Sequence, residues 1–206
     1  MTKKFEIELR GPITKKKITE LVKLFRKNGK FVSRKDRILI HYFDDHGDET
    51  ALRKLTKDFR VRTTNGQPEL ILKLGSWGGR EQRQELCVTL HKGQFDTLVS
   101  ILGHMGFTKG IFAERRGSIY KYKGVEFSLV EVPGHSYYFE AERIVSAKKY
   151  TTECRHKILK VCQELGLEVF DKNGFHDYIS LLNKTANSRF NFKKYKPGNF
   201  KKYFKV

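Results

Sequence analysis

The chain has 206 residues, 38% hydrophobic and 32% charged, which suits a globular protein able to bury a core without disulfide staples. It contains no run of about 18 apolar residues, and its start, MTKKFEIELR, lacks the apolar segment of a secretion signal, so no membrane span and a cytoplasmic location are expected. The formal net charge of +19 sets up a field that attracts anions and points to phosphate-bearing partners, while Cys87, Cys154 and Cys162, odd in number and without CxxC spacing, read as reduced thiols.

Residues 5–10 alternate, with Phe5, Ile7 and Leu9 on one side and Glu6, Glu8 and Arg10 on the other, the period of a strand. A helix follows over residues 14–28, with Ile18, Leu21, Val22 and Phe25 at helical spacing, Thr14 as its cap and Gly29 as its stop. Residues 37–44 read as a strand and 44–48 as a polar loop. Arg60 and Arg62 alternate with Phe59 and Val61; Asn65-Gly66 marks a tight hairpin; and Leu70, Leu72 and Leu74 alternate with Ile71 and Lys73. A glycine-rich connector at 75–79 leads to a strand at 83–90, where Arg83, Glu85 and Cys87 face opposite Leu86, Val88 and Leu90.

A second helix is expected at 92–105, ended by Gly106. Strands return at 111–122, 125–132 and 137–145, and helices at 150–165 and 174–185. The last residues, 189–206, interleave aromatic residues with lysines. That pattern fits either a tail docked on the body or one that touches nucleic acid by stacking and phosphate contact.

Every strand has an apolar and a charged face. Alternation alone fits an ordinary half-solvated sheet as well as a barrel with charges inside and helices over an apolar outside. The pair Glu6 and Glu8 sharpens the choice. Two carboxylates on one strand face repel unless a positive charge sits between them, and a divalent cation such as Mg²⁺ takes oxygen ligands and keeps sites for phosphate. A second Glu-x-Glu, Glu140 and Glu142, lies in the 137–145 strand. Between the pairs come Arg60, Arg62, Lys73, Arg83 and Arg116, forks and point charges suited to phosphate.

The order Glu-x-Glu-x-basic, Arg-x-Arg, Lys, Arg-x-Glu, a basic strand and a terminal Glu-x-Glu resembles the CYTH, or triphosphate-tunnel, superfamily. That group includes class IV adenylyl cyclases, thiamine triphosphatases and inorganic triphosphatases. The resemblance spans about residues 4–170. It implies an α+β fold: a closed eight-stranded antiparallel barrel with a charged lumen and helices packed outside, over residues 1–170, and a C-terminal helix and basic aromatic tail over 171–206.

By matched position it implies Glu6, Glu8, Glu140 and Glu142 as ligands of Mg²⁺ or Mn²⁺. It implies Arg10, Arg60, Arg62, Lys73, Arg83 and Arg116 as phosphate contacts, with Arg10, Lys73 and Glu85 acting closest to the reaction. The implied activity is metal-dependent hydrolysis of a triphosphate such as ATP, tripolyphosphate or thiamine triphosphate. The alternatives are cyclisation of ATP, and binding of polyphosphate, nucleotide or RNA ends with little turnover.

Two positions depart from the family pattern. Arg10 stands where a lysine is usual, which keeps charge but removes a group able to lose its proton. Val130 stands where an acid is usual and cannot bind metal; by strand parity Glu126 shares its face and Glu131 does not.

Overall fold

The computed structural model describes residues 5–42, 57–75 and 80–200; the side chains at 80–83 and 148 are also outside the described set. In chain order the elements are β1 (Phe5–Ile13), α1 (Lys15–Asn28), β2 (Lys30–Arg34), β3 (Arg37–Tyr42), β4 (Lys57–Thr64), β5 (Gln67–Leu74) and β6 (Arg80–Thr89). They continue with α2 (Phe95–His104), β7 (Lys109–Tyr122), β8 (Val125–Val132), β9 (Ser136–Val145), α3 (Thr151–Glu164), α4 (Lys172–Thr185) and β10 (Ser188–Asn191).

Local signals explain the boundaries. Thr14 accepts the Lys17 amide at the start of α1, and the Gly29 amide reaches back to Phe25 at its end. Asn65 and Gly66 both take positive φ, 50° and 79°, as a tight β4–β5 hairpin needs. After α2, Gly106 adopts φ +100° and the Phe107 amide returns to the Leu102 carbonyl, a Schellman-like stop. The polar loop expected at 44–48 and the glycine-rich connector, from 76 to 79, lie outside the described residues.

The strands join antiparallel in the order β10-β7-β3-β4-β5-β6-β1-β9-β8, with β2 also on β7 and β8 pairing β7 as well as β9. The expected cylinder of eight strands is realised as a curled half-barrel of ten. The two additions have plain causes. The 37–44 strand is preceded by β2 across the Lys35–Asp36 link, and β10 comes from the tail, pairing Ser188–Asn191 with the start of β7. β6 is shared between neighbours: its first half pairs with β1 and its second half with β5.

The convex side of the sheet is apolar. Ile7 and Leu9 of β1, Phe127 and Leu129 of β8, and Phe139 and Ala141 of β9 pack under Leu21 and Phe25 of α1 and Ile158 and Cys162 of α3. A second cluster sets Ile38 and Ile40 of β3, Val61 of β4 and Phe112 of β7 under Phe95, Val99 and Leu102 of α2. Phe190 and Phe200 of the tail belong to this second cluster and are buried, so these rings cannot stack on bases; residues 201–206 lie outside the described set. The alternate residues of each strand, which include the charged ones of β1, β4 and β9 as well as apolar ones such as Leu39, Ile111 and Val130, are thereby placed on the concave side.

One helix departs from the expected outer layer. Phe175, Tyr178, Ile179 and Leu182 of α4 line a cavity together with Arg10 and Arg60, so α4 crosses the concave side instead of covering the convex one. No helix among the described residues is long and apolar enough to cross a membrane.

Phe25 is fully buried against Tyr120, Tyr122 and Phe127. Phe25→Ala is expected to lower unfolding free energy by about 3–5 kcal/mol in denaturant titration. Ile101→Ala, at a half-exposed helix position, is expected to stay within about 0.5 kcal/mol.

Candidate functional site: a charged concave face

Strand register assembles the concave face. β1 and β9 set Glu8 directly opposite Glu142 and Arg10 opposite Glu140. β8 continues the row, with Glu126 opposite Glu142 and Ser128 opposite Glu140. From the other side, β5 and β6 set Lys73 opposite Glu85, and β3 and β4 set His41 opposite Arg60.

The face divides into an acidic and a basic region. In the acidic region Glu6, Glu8 and Glu142 each offer an oxygen within 4.8 Å of the others. Lys73 bridges Glu6, at 3.1 Å, and Glu85, at 2.9 Å. Among the described residues this positive charge, with that of Arg10 on Glu8, does not fully offset the burial of the carboxyls. Burial pushes the Glu8 carboxyl up to about 8; Arg10 opposes the shift, and Glu140 and Glu6 add to it. Burial likewise pushes Glu142 up to about 7, with Lys35 opposing and Glu6, Glu140 and Glu126 adding. Three convergent carboxylates, one of them without an ion-pair partner among the described residues, fit a hard divalent cation such as Mg²⁺ or Mn²⁺.

The basic region surrounds a cavity of about 120 Å³ lined by Arg10, Lys35, Arg37, His41, Arg60 and Arg115. Tyr138, Phe170, Phe175 and Tyr178 form its opposite wall, with the Arg10 guanidinium 5.3 Å from the centre of the Phe175 ring. The cations are held in place by acids: Arg60 by Asp58 in a two-pronged pair, Arg62 by Glu69 at 2.7 Å, and Arg10 by Glu8 at 2.7 Å.

Each sequence-derived candidate can now be placed. Glu6, Glu8 and Glu142 converge. Glu140 does not join them; its carboxylate faces Lys35 at 3.1 Å and Arg10 at 3.4 Å. Burial alone would raise Glu140, but Lys35, Arg10 and Arg37 outweigh it and hold the carboxyl well below the usual range. Lys73 is pulled down by burial and pushed up harder by Glu8, Glu6 and Glu85, so it stays protonated at neutral pH. Glu85, burial notwithstanding, is held below its ordinary value by Lys73, Arg62 and Arg60.

Arg83 pairs by backbone with Glu6, and its side chain lies outside the described residues. Arg116 is not brought to this face: it is half exposed on the convex side and paired with Glu114 at 2.9 Å. Its neighbour Arg115 lines the cavity instead. Phe112, four residues before Arg116 and in the convex core, carries the parity that separates the two. Val130 lines the cavity, Glu126 shares its strand face, and Glu131 lies opposite Arg116 on the other face.

Three further residues of the cavity, Lys35, Arg37 and His41, were not legible as site residues. Lys35 sits in the link between two strands, where no alternation marks it, and Arg37 and His41 look like ordinary members of an apolar strand.

No protein-family model and no curated protein matches the chain. Solved structures do share its fold. The PH1819 protein of Pyrococcus horikoshii OT3 superposes with a TM-score of 0.65 at 23% identity, covering 86% of this chain and 99% of that one. A candidate adenylate cyclase of Vibrio parahaemolyticus gives 0.60 at 17% identity, covering 80% and 90%. HpAC1 of Hippeastrum, a candidate adenylyl cyclase described as having a dominant triphosphatase activity, gives 0.54 at 14% identity, covering 86% and 95%. The fold is the one these proteins share.

The raised carboxyls carry a signed expectation for the metal-free protein. A carboxyl with a higher pKa folded than unfolded binds its proton more tightly when folded, so stability falls as pH rises through that interval. In EDTA, melting temperature is expected to fall between about pH 5 and pH 8, toward the folded values of about 7 for Glu142 and about 8 for Glu8. Glu142→Gln should flatten this slope, and Mn²⁺ should raise the melting temperature of the parent protein more at pH 8 than at pH 6, but not that of Glu142→Gln.

Proposed function

We propose that the chain binds a triphosphate-containing molecule on the concave face of its sheet and hydrolyses it with the help of a divalent metal. The observation that carries this reading is the juxtaposition of a cation-lined cavity with three converging carboxylates, of which Glu142 has no ion-pair partner among the described residues. One molecule with a polyanionic chain and a bound metal would satisfy both regions at once. The fold shared with HpAC1 and with a candidate adenylate cyclase supports the choice of a triphosphate.

In this reading Glu6, Glu8 and Glu142 hold Mg²⁺ or Mn²⁺, which when bound supplies charge neutralisation and polarisation at a phosphoryl oxygen. Arg10, Arg60 and Arg115, lining the cavity, grip the phosphate oxygens and oppose the negative charge that grows there during bond cleavage. Lys73, kept protonated by its acidic neighbours, acts as a fixed positive charge and not as a base, and Glu85 orients it at 2.9 Å. Arg62 extends the cationic row from its anchor on Glu69. The curled sheet would then close as a tunnel around the phosphate chain and exclude bulk water, which strengthens each of these interactions.

A second reading, cyclisation of ATP with release of pyrophosphate, is favoured by the partly exposed aromatic residues Tyr138, Phe170 and Tyr178 beside the cations, since a base can stack there. Product analysis separates the two. The purified chain is incubated with tripolyphosphate, ATP and thiamine triphosphate, with Mg²⁺ or Mn²⁺, beside a Glu6→Ala/Glu8→Ala variant. Metal-dependent orthophosphate that the variant fails to release supports the hydrolase, and cyclic AMP with pyrophosphate supports the cyclase. Arg60→Ala should lower turnover by roughly 10²-fold. Turnover that survives in the double variant would sink both readings.

A further inference from the structure

The two glutamates of β9 stand two residues apart yet meet opposite conditions. Glu142 has no ion-pair partner among the described residues and shares a 4.8 Å sphere with Glu6 and Glu8. Both oxygens of Glu140 face a cation of the protein itself. Oε2 accepts from Lys35 Nζ at 3.1 Å, and Oε1 lies 3.4 Å from Arg10 Nε.

Lys35 is 7% exposed and also donates to Ser128 Oγ at 2.8 Å, so its ammonium is pinned from two sides. It lines the basic cavity, as does Val130, which offers no oxygen to a metal. A lysine ammonium carries three donors. Two are engaged among the described residues, to Ser128 and Glu140, and the ammonium borders the cavity.

We infer that the site holds a single divalent ion, on Glu6, Glu8 and Glu142, and that Lys35, fixed by Glu140 and Ser128, supplies to the phosphate chain the positive charge that a second ion would otherwise bring. Glu140 is then the anchor of a lysine and not a metal ligand. A pinned ammonium differs from an exchangeable ion: it is present whatever the metal concentration, and it acts as a compact point charge. The role given to Lys35 toward phosphate rests on the triphosphate reading above. The ion count does not.

The test uses the full-length, metal-free chain titrated with Mn²⁺ alone, bound ion being counted from the loss of the free Mn²⁺ paramagnetic signal and by calorimetry. One equivalent per chain is expected. Glu140→Gln, which keeps shape and can still accept from Lys35, should leave that equivalent within about twofold in affinity, whereas Glu142→Gln should weaken it at least about tenfold. Two equivalents in the parent chain, or a loss on Glu140→Gln as large as on Glu142→Gln, would overturn the ion count.

The second arm measures tripolyphosphate binding in EDTA. Lys35→Gln should weaken it about tenfold while keeping the one Mn²⁺ equivalent, and Lys35→Arg should restore most of the loss. Unchanged binding in Lys35→Gln would remove Lys35 from its role. A parent chain that binds no tripolyphosphate with or without Mn²⁺ would defeat the triphosphate reading and with it the role of Lys35, and the Mn²⁺ titration would still decide the ion count.

Discussion

Glu8 and Glu142 face one another across adjacent antiparallel strands, and both are turned away from bulk water. Like charges placed this way repel, and their desolvation makes the repulsion stronger. The concave face is organised around that problem. Lys73 relieves Glu6 and Glu85, Arg10 relieves Glu8 and Glu140, and Lys35 completes Glu140, while Glu142 is left under-compensated. The place where compensation fails is the place where an external cation is most strongly drawn.

A polar interior of this kind is possible only because the apolar burial lies elsewhere. In most sheets the hydrophobic face is the one that another layer covers and the polar face meets water. Here α1, α2 and α3 cover the convex side with two aromatic-rich clusters, and the core they form holds the curvature of the sheet. The C-terminal segment contributes on both sides. Phe190 and Phe200 extend the convex cluster next to α2, while α4 lays an aromatic wall across the concave cavity. Arg10 touches both systems, paired with Glu8 and seated over Phe175, which links the acidic region to the wall.

The separation of acidic and basic regions gives the face a polarity. On the function proposed above, a polyanion entering it would meet guanidinium groups at one end and the carboxylate triad at the other. Acid partners hold Arg60 and Arg62 in place, so less ordering would remain to be done on binding. The electropositive bulk of the chain, +19 overall, favours approach of the same class of molecule.

Much of this was legible in the linear chain. Two-residue alternation identified the strand faces, capping residues placed the helix ends, and the paired glutamates with Arg10, Arg60, Arg62 and Lys73 marked the charged face, because each of these is a property of neighbours within one element. What no strand could express was which charges meet. Glu140 and Glu142 are equivalent by spacing, and only the approach of Lys35 from the β2–β3 link, 105 positions away in sequence, distinguishes an anchored carboxylate from one available to metal. Arg115 and Arg116 are likewise adjacent, and only the packing of Phe112 under α2 and the tail decides which of them turns inward. The tail's aromatic–lysine pattern suited either a free arm or a docked one; burial of Phe190 and Phe200 settled it for those residues. The sequence by itself determined periodicity, chemistry and charge. Tertiary structure decided countercharge and burial, since both depend on distances across the fold between residues far apart along the chain.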